Sequence, residues 1–307
     1  MRSTRKPNSN LQRLRTEQSN EAAHDLDCKS SLEIVRLINS EDAKVAGAVA
    51  RALPQVARTI DWAAAALRRG GRLIYVGAGT SGRIGALDAA ECKPTFDTDR
   101  VQFIIAGGTK ALGSESEISE DDVKLGRDEM ARRKPGKNDV VIGIASSGRT
   151  PFTVAAIELA RHRGARTVAL TCNRNSPLER AAHFGIVTEV GPEVLAGSSR
   201  MKAATAHKMV LNMISTGAMS RLGYVYGNFM VNVVPKNEKL KQRTVAILER
   251  ASGADFSAAR QALEFAGNRT PVALVMLTAG VSRAQAVGAL KKSEGNVRRA
   301  IALAAKK

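Results

Sequence analysis

Cysteine, histidine and aromatic side chains are scarce in this chain, and each scarcity removes a class of function. The three cysteines, Cys28, Cys92 and Cys172, are widely spaced and odd in number. They form neither a disulfide framework nor a zinc pattern, and they fit a reducing cytoplasm. The four histidines, His24, His162, His183 and His207, are equally scattered; each reads as a surface or packing residue, and no metal is expected. Aromatics make up 4% of the chain, too few to build base-stacking platforms. No apolar run reaches membrane-spanning length, and the opening MRSTRKPNSNLQRLR lacks the apolar core of a secretory signal. No G-x-x-x-x-G-K-[ST] occurs, which argues against a nucleoside triphosphatase.

Acidic residues are also in short supply, and the net charge of +18 invites a nucleic-acid reading. Its distribution argues against one. Residues 1–20 carry five basic and one acidic side chain, and residues 250–307 carry ten and three, so +11 of the excess lies in the two ends. No helix-turn-helix is evident ahead of the first strand. Neither nucleic acid nor a membrane is an expected partner.

The chain is organised around Arg72 to Glu91, RLIYVGAGTSGRIGALDAAE. Leu73 to Val76 is a short apolar run ending in glycines, the pattern of a buried strand. Gly77, Gly79 and Gly82 make a tight turn holding Thr80 and Ser81, and helical periodicity resumes from Ile84. Strand, hydroxyl-bearing turn and helix together place N–H and O–H donors at a positive helix N-terminus, a site for an anion such as phosphate. The spacing formally satisfies G-x-G-x-x-G. A dinucleotide site would also want an acid ending the next strand, whereas Val101 to Ile105 runs into Ala106-Gly107-Gly108. A turn needing small residues only for packing does not require the two hydroxyls.

Around this stretch the chain alternates. Ser30 or Ser31 caps a short helix carrying Leu32, Val35 and Ile38; Ala43 to Ala52 and Val56 to Leu67 read as two more helices, with Pro54 opening the second. Thr16 to Asn20 is polar with no clear period. Strands are expected at Val101 to Ile105, Val140 to Ile144, Thr167 to Thr171 and Ile186 to Val190, with helices at Glu120 to Arg133, Thr153 to Arg163 and Ser198 to Leu222. Alternation of this kind means a parallel sheet with crossover helices, and ligands on such sheets bind beyond the carboxyl ends of the strands. Residues 250–307 turn alanine-rich and helical, with a weak repeat at an offset of 27 (Gly253 with Gly280, Leu263 with Leu290, Ala273 with Ala300). Each half reads as a helical hairpin, with Gly267-Asn268 and Gly295-Asn296 between its helices.

Three hydroxyl-rich loops follow strands or open helices: Thr80-Ser81-Gly82, Ser146-Ser147-Gly148-Arg149-Thr150, and Gly197-Ser198-Ser199-Arg200. One such loop is often a helix cap; three on one sheet edge point to a shared phosphate or sugar site, which wants many donors rather than one formal charge. Two carboxylates flank that edge. Glu91 ends the first helix, where the macrodipole disfavours an acid unless it is solvent-exposed, and Glu120 stands in an acidic cluster that Ser119 could cap.

These residues, taken in order, resemble a known family. G-A-G-T-S-G-R (77–83), D-A-A-E-C (88–92), A-S-S-G-R-T-P (145–151), G-S-S-R-M-K-A (197–203) and N-E-K-L (237–240), with Thr16-Glu17 and Asn20, are similar to the N-acetylmuramic acid 6-phosphate etherases. The similarity runs from about residue 16 to the end. Ala145 replaces the first serine of the wider S-x-S-G-x-T pattern, leaving Ser147 and Thr150 as the surer ligands. Lys93 stands where proline is usual, and the basic amino-terminal extension is not a family feature.

The resemblance implies a fold and a reaction. The fold class is α/β: a parallel five-stranded sugar-isomerase (SIS) sheet flanked by helices, with a small all-helical carboxy-terminal domain. The expected domains are a disordered basic extension over 1–15, a catalytic sugar-phosphate domain with amino-terminal helices over 16–245, and the helical domain over 246–307. The activity implied is removal of D-lactate from N-acetylmuramic acid 6-phosphate, without metal or cofactor, in a cytoplasmic homodimer. Glu91 matches the acid that protonates the leaving lactate and Glu120 the second carboxylate, the C2 base. Thr80, Ser81, Gly82, Ser147, Gly148, Thr150, Ser198 and Ser199 would bind the sugar phosphate. On an unbroken helix Glu91 would lie ~13 Å beyond Gly82, longer than a hexose phosphate, so either the helix ends early and folds back or Glu91 serves a site completed by a second subunit. The competing expectations are a non-catalytic sugar-phosphate sensor, which would need neither glutamate, and a sugar-phosphate isomerase, which would expel no lactate.

Overall fold

The computed structural model describes residues 14–114, 119–233 and 238–306. They fall into two compact units: the residues up to Ala89 with Arg100–Ile214, and Ala90–Asp99 with the residues from Ser215 on. The disordered extension expected over 1–15 lies outside the described residues, except for its last two positions.

The first unit is built on a five-stranded parallel sheet of β1 (Leu73–Gly77), β2 (Val101–Ile105), β3 (Val140–Ile144), β4 (Arg166–Thr171) and β5 (Phe184–Val187). The strand order is β2-β1-β3-β4-β5. β1 (LIYVG) and β3 (VVIGI) are buried along their whole length, as continuous apolar runs must be when helices cover both faces. Every expected strand is present, the fifth beginning two residues earlier than its apolar run suggests, at Phe184. The chain leaves β1 toward β2 on one side and returns to β3 on the other, so the switch point lies between β1 and β3, where a crevice opens beyond their carboxyl ends.

At the opposite end the two strands are fastened together. Asp139 Oδ1 accepts the Arg72 backbone N–H at 2.9 Å, and Asp139 Oδ2 pairs with the Arg72 guanidinium at 2.8 Å. Burial pushes the Asp139 carboxyl up, but Arg72 and the Gly136 N–H outweigh it and hold it below the ordinary carboxylate range.

Helices α1 (Ser31–Ala50) and α2 (Leu53–Arg68) precede the sheet. The two short helical patterns expected before Ala52 are one 20-residue helix, opened by a Ser30–Glu33 capping box. Pro54 stands at the start of α2, as expected. The crossovers are α3 (Gly79–Phe96), α4 (Val123–Arg132), α5 (Pro151–His162) and α6 (Pro177–Ala181), and α7 (Lys202–Leu222) follows β5. The cap of α4 is Asp122, whose side chain accepts from Leu125 N, not Ser119, so Glu120 stands in a turn ahead of the helix. No single described helix is long and apolar enough to cross a membrane.

The second unit holds a small hairpin, β6 (Val225–Tyr226) and β7 (Phe229–Met230), and helices α8 (Glu238–Ser252), α9 (Phe256–Phe265), α10 (Thr270–Ala279), α11 (Arg283–Lys292) and α12 (Val297–Ala304). The 27-residue repeat is structural: α9 and α11 start 27 residues apart, as do α10 and α12. The left-handed turn residues repeat at the same offset, Gly267 and Asn268 matching Glu294 and Gly295. Val272, Leu274, Val275, Leu290 and Val297 lie in one core.

Candidate active site

The crevice at the switch point is a cavity of about 310 Å³. Thr80 and Ser81 reach it from the first turn of α3, and Ser147 and Thr150 from the loop joining β3 to α5. Thr150 occupies the N-cap position of α5 without its side chain capping the helix. Ser199 lines the cavity from the loop before α7, and Glu120 from the turn before α4. Six of the ten expected site residues thus share one cavity. Among the described residues its lining includes one cation, Arg83, whose guanidinium donates to Ala111 O at 3.1 Å and Ser114 O at 2.7 Å. A phosphate here meets hydroxyls and helix N-termini rather than a cluster of basic side chains.

Gly82 and Gly148 shape the cavity without lining it. A Cβ on Gly82 would stand 2.6 Å from Ile105 Cγ1 and 2.8 Å from Gly77 O, so only glycine lets α3 approach the sheet this closely. Gly148 has φ +67°, and a Cβ there would stand 2.4 Å from Ser176 Cβ. Ser198 is outside the cavity lining, its backbone N donating to Leu195 O.

Glu120 is half-buried, and its backbone carbonyl accepts from Phe152 N at 3.0 Å, pinning the turn to the start of α5. Its carboxylate lies beside Gly79, where Glu120 Oε1 is 2.9 Å from the place of an added Cβ. Glu91 does not line the cavity. α3 continues past it without a break to Phe96, and Glu91 is exposed on that helix. Its neighbour Asp88 is buried, taking the Tyr75 hydroxyl at 2.8 Å and the Asn212 amide at 2.7 Å. In the D-A-A-E-C stretch, then, the aspartate fastens α3 while the glutamate faces solvent.

Two further groups, to which the sequence assigns no site role, stand at or beneath the cavity. Thr16 and Glu17 line the cavity, Thr16 being fully buried. Beneath the Ser199 loop, buried Glu193 accepts the Lys202 and Ala203 backbone N–H groups at 2.9 Å each, capping α7. Burial outweighs these bonds and pushes the Glu193 carboxyl up. The Lys202 ammonium is itself buried and pairs with Glu41 of α1. Burial works against the Glu41 charge, but Lys202 and Lys44 hold its carboxyl below the usual range. A signal for Glu41 existed: Ile38, Glu41, Val45 and Ala48 share the inward stripe of α1. No cluster of three potential metal ligands occurs among the described residues.

A five-stranded parallel sheet with hydroxyl loops at its switch point defines a SIS-type sugar-phosphate fold. Residues 131–218 match the SIS domain model, and residues 55–161 match the glucokinase regulatory protein N-terminal SIS domain. Over 298 residues the chain is 47% identical to an N-acetylmuramic acid 6-phosphate etherase 1 of Bacillus licheniformis, covering 96% of this chain and 98% of that one. It is 48% identical to the Enterococcus faecalis etherase 1 (95% and 98% covered) and 53% to the Symbiobacterium thermophilum etherase (88% and 91%). The chain belongs to the N-acetylmuramic acid 6-phosphate etherase family, whose members are carbon–oxygen lyases.

Proposed function

We propose that this protein cleaves the D-lactyl ether of N-acetylmuramic acid 6-phosphate, giving N-acetylglucosamine 6-phosphate and D-lactate in cytoplasmic peptidoglycan or amino-sugar metabolism. The observation that carries the reading is the Glu120 carboxylate beside Gly79, in a cavity whose other walls present phosphate-binding hydroxyls. A sensor of sugar phosphates would use the hydroxyls but has no need of that carboxylate.

The reaction follows from the residue types. In the open-chain sugar the aldehyde acidifies the C2 proton, and Glu120 takes it. The C3–O bond breaks with its electron pair going to the oxygen, and Glu91, as the general acid, delivers a proton to the departing lactate oxygen. Water then adds across the C2–C3 double bond, hydroxyl to C3 and proton to C2, so the net change is hydrolysis. Each positioned proton transfer contributes ~10²–10⁴ in rate. Glu91 lies about 13 Å beyond Gly82 at the α-helical rise, so in this proposal a second copy of the chain supplies it in a homodimer.

The test is direct. Pure protein incubated with N-acetylmuramic acid 6-phosphate should release stoichiometric D-lactate, and a preparation that binds the sugar phosphate but releases none would sink the lyase reading.

A further inference from the structure

The segment Leu14–Asn20 is polar and short, yet it is tied firmly to the wall of the cavity. Asn173, just past the end of β4 and buried, makes two bonds to it and a third to a neighbouring loop. Its Oδ1 accepts the Arg15 backbone N–H at 3.0 Å, its Nδ2 donates to Thr16 Oγ1 at 3.3 Å, and the same Nδ2 donates to Ser146 O at 3.0 Å. An Arg15–Glu189 pair at 3.8 Å adds to the tether. Ser146 belongs to the loop that carries Ser147 and Thr150, so one amide couples this strap to that loop.

The strap brings Glu17 to the cavity beside Gly197, in the loop ahead of α7. Glu17 Oε2 stands 3.3 Å from the place of an added Cβ on Gly197, and Oε1 accepts from Thr16 Oγ1 at 3.4 Å. Within the described residues no lysine, arginine or histidine forms an ion pair with it. An ionised carboxylate offers acceptors only. It repels a phosphate and attracts hydroxyl donors, whereas the loops around Ser81, Ser147 and Thr150 do the reverse. The cavity is thus lined by hydroxyl donors from those loops and by two carboxylate acceptors, Glu17 on the strap and Glu120 beside Gly79.

We propose that Glu17 is a substrate-binding residue that accepts hydrogen bonds from the hydroxyl groups of the sugar body, with Asn173 as the residue that positions it. The two anionic features, substrate phosphate and strap carboxylate, then fix which way round the sugar lies. This rests on the cavity being a sugar-phosphate site, but it does not depend on which bond is broken there.

The experiment is a calorimetric titration of the full chain with two probes, N-acetylglucosamine 6-phosphate and inorganic phosphate. Glu17→Gln should weaken the sugar phosphate roughly tenfold to a hundredfold, the range for a hydrogen bond to a charged group, and leave inorganic phosphate unchanged. Asn173→Ala should lose sugar-phosphate affinity in the same direction. Ser147→Ala should weaken both probes. Unchanged sugar-phosphate affinity in Glu17→Gln overturns the proposal, and so does an equal loss of both probes. Wild-type protein that binds the sugar phosphate, discriminates through Glu17 and yet releases no lactate leaves this inference standing while the lyase reading falls.

Discussion

The carboxylate of Glu193 spans the first two backbone N–H groups of α7, those of Lys202 and Ala203, and so closes that helix terminus with a charge of the protein's own. The three hydroxyl loops are therefore not equivalent. At α3 the first turn lines the cavity and at α5 the N-cap Thr150 does, whereas at α7 the terminus is already occupied and only the preceding Ser199 lines it.

Removing that cap should be felt in stability. Glu193→Ala leaves buried N–H groups without an acceptor, and a loss of about 1–3 kcal/mol is expected. Urea unfolding gives the number. A midpoint unchanged from wild type would show that water or a rearranged loop replaces the carboxylate at no cost.

Substrate affinity should divide along the same line. Ser81→Ala, Ser147→Ala and Thr150→Ala should each raise KM for the sugar phosphate, by roughly tenfold where the hydroxyl bonds a charged phosphate oxygen. Ser198→Ala, outside the cavity, should leave KM within about twofold, a change worth under 0.5 kcal/mol. Steady-state lactate release across the four variants decides it; equal effects at Ser198 and Ser147 would contradict the placement of the phosphate.

The two carboxylates should separate kinetically. Glu120→Gln should lose both C2 proton exchange and lactate release, by ~10²–10⁴, and Glu91→Gln should lose lactate release while keeping exchange in deuterated water. If a second copy supplies Glu91, mixing the two inactive variants forms heterodimers with one complete site each. Recovery approaches roughly a quarter of the wild-type sites under random pairing. Mixtures that stay inactive despite proven subunit exchange place Glu91 outside a shared site.

Acid should destabilise the first unit over a defined window. His207 is fully buried, and burial alone lowers its pKa to about 4. The unfolded chain takes up this proton near pH 6.5, the folded one only near 4, so the contribution is complete above about pH 6.5 and disappears as the pH falls toward 4. It amounts to roughly 3 kcal/mol at 1.36 kcal/mol per pH unit. His207→Leu should flatten this limb in urea midpoints taken at pH 7, 5.5 and 4.5. Parallel loss in variant and wild type would assign the acid sensitivity to other groups. The neighbouring Cys172 thiol, pushed up to about 12 by burial, is no nucleophile at any of these values.

Much of this was readable locally, and what was not depends on distant partners. Leu73–Gly77 and Val140–Ile144 were legible as strands because a strand covered on both faces needs an unbroken apolar run, and their loops carry short-range signatures. The duplicated hairpins were legible because turns at a fixed offset repeat. In α1 the apolar pattern is interrupted by the polar run Ser40, Glu41 and Asp42, although the helix is continuous. The polarity there is compensated by Lys202, 161 residues away. Likewise Thr16 and Glu17 show no periodicity, since their position is set by Asn173, 157 residues beyond Thr16. Long-range pairing of single polar side chains leaves no pattern in a window of ten residues.

The Arg72–Asp139 clasp has one last implication for how the family's chemistry is kept in tune. It holds β1 and β3 in a register that ends with Gly77 opposite Ile144, so the two main hydroxyl loops spring from neighbouring strands about 4.8 Å apart. The spacing between those two loops is thus gauged by the hydrogen-bonded mesh of the sheet itself. Side chains in either loop can change without altering that gauge.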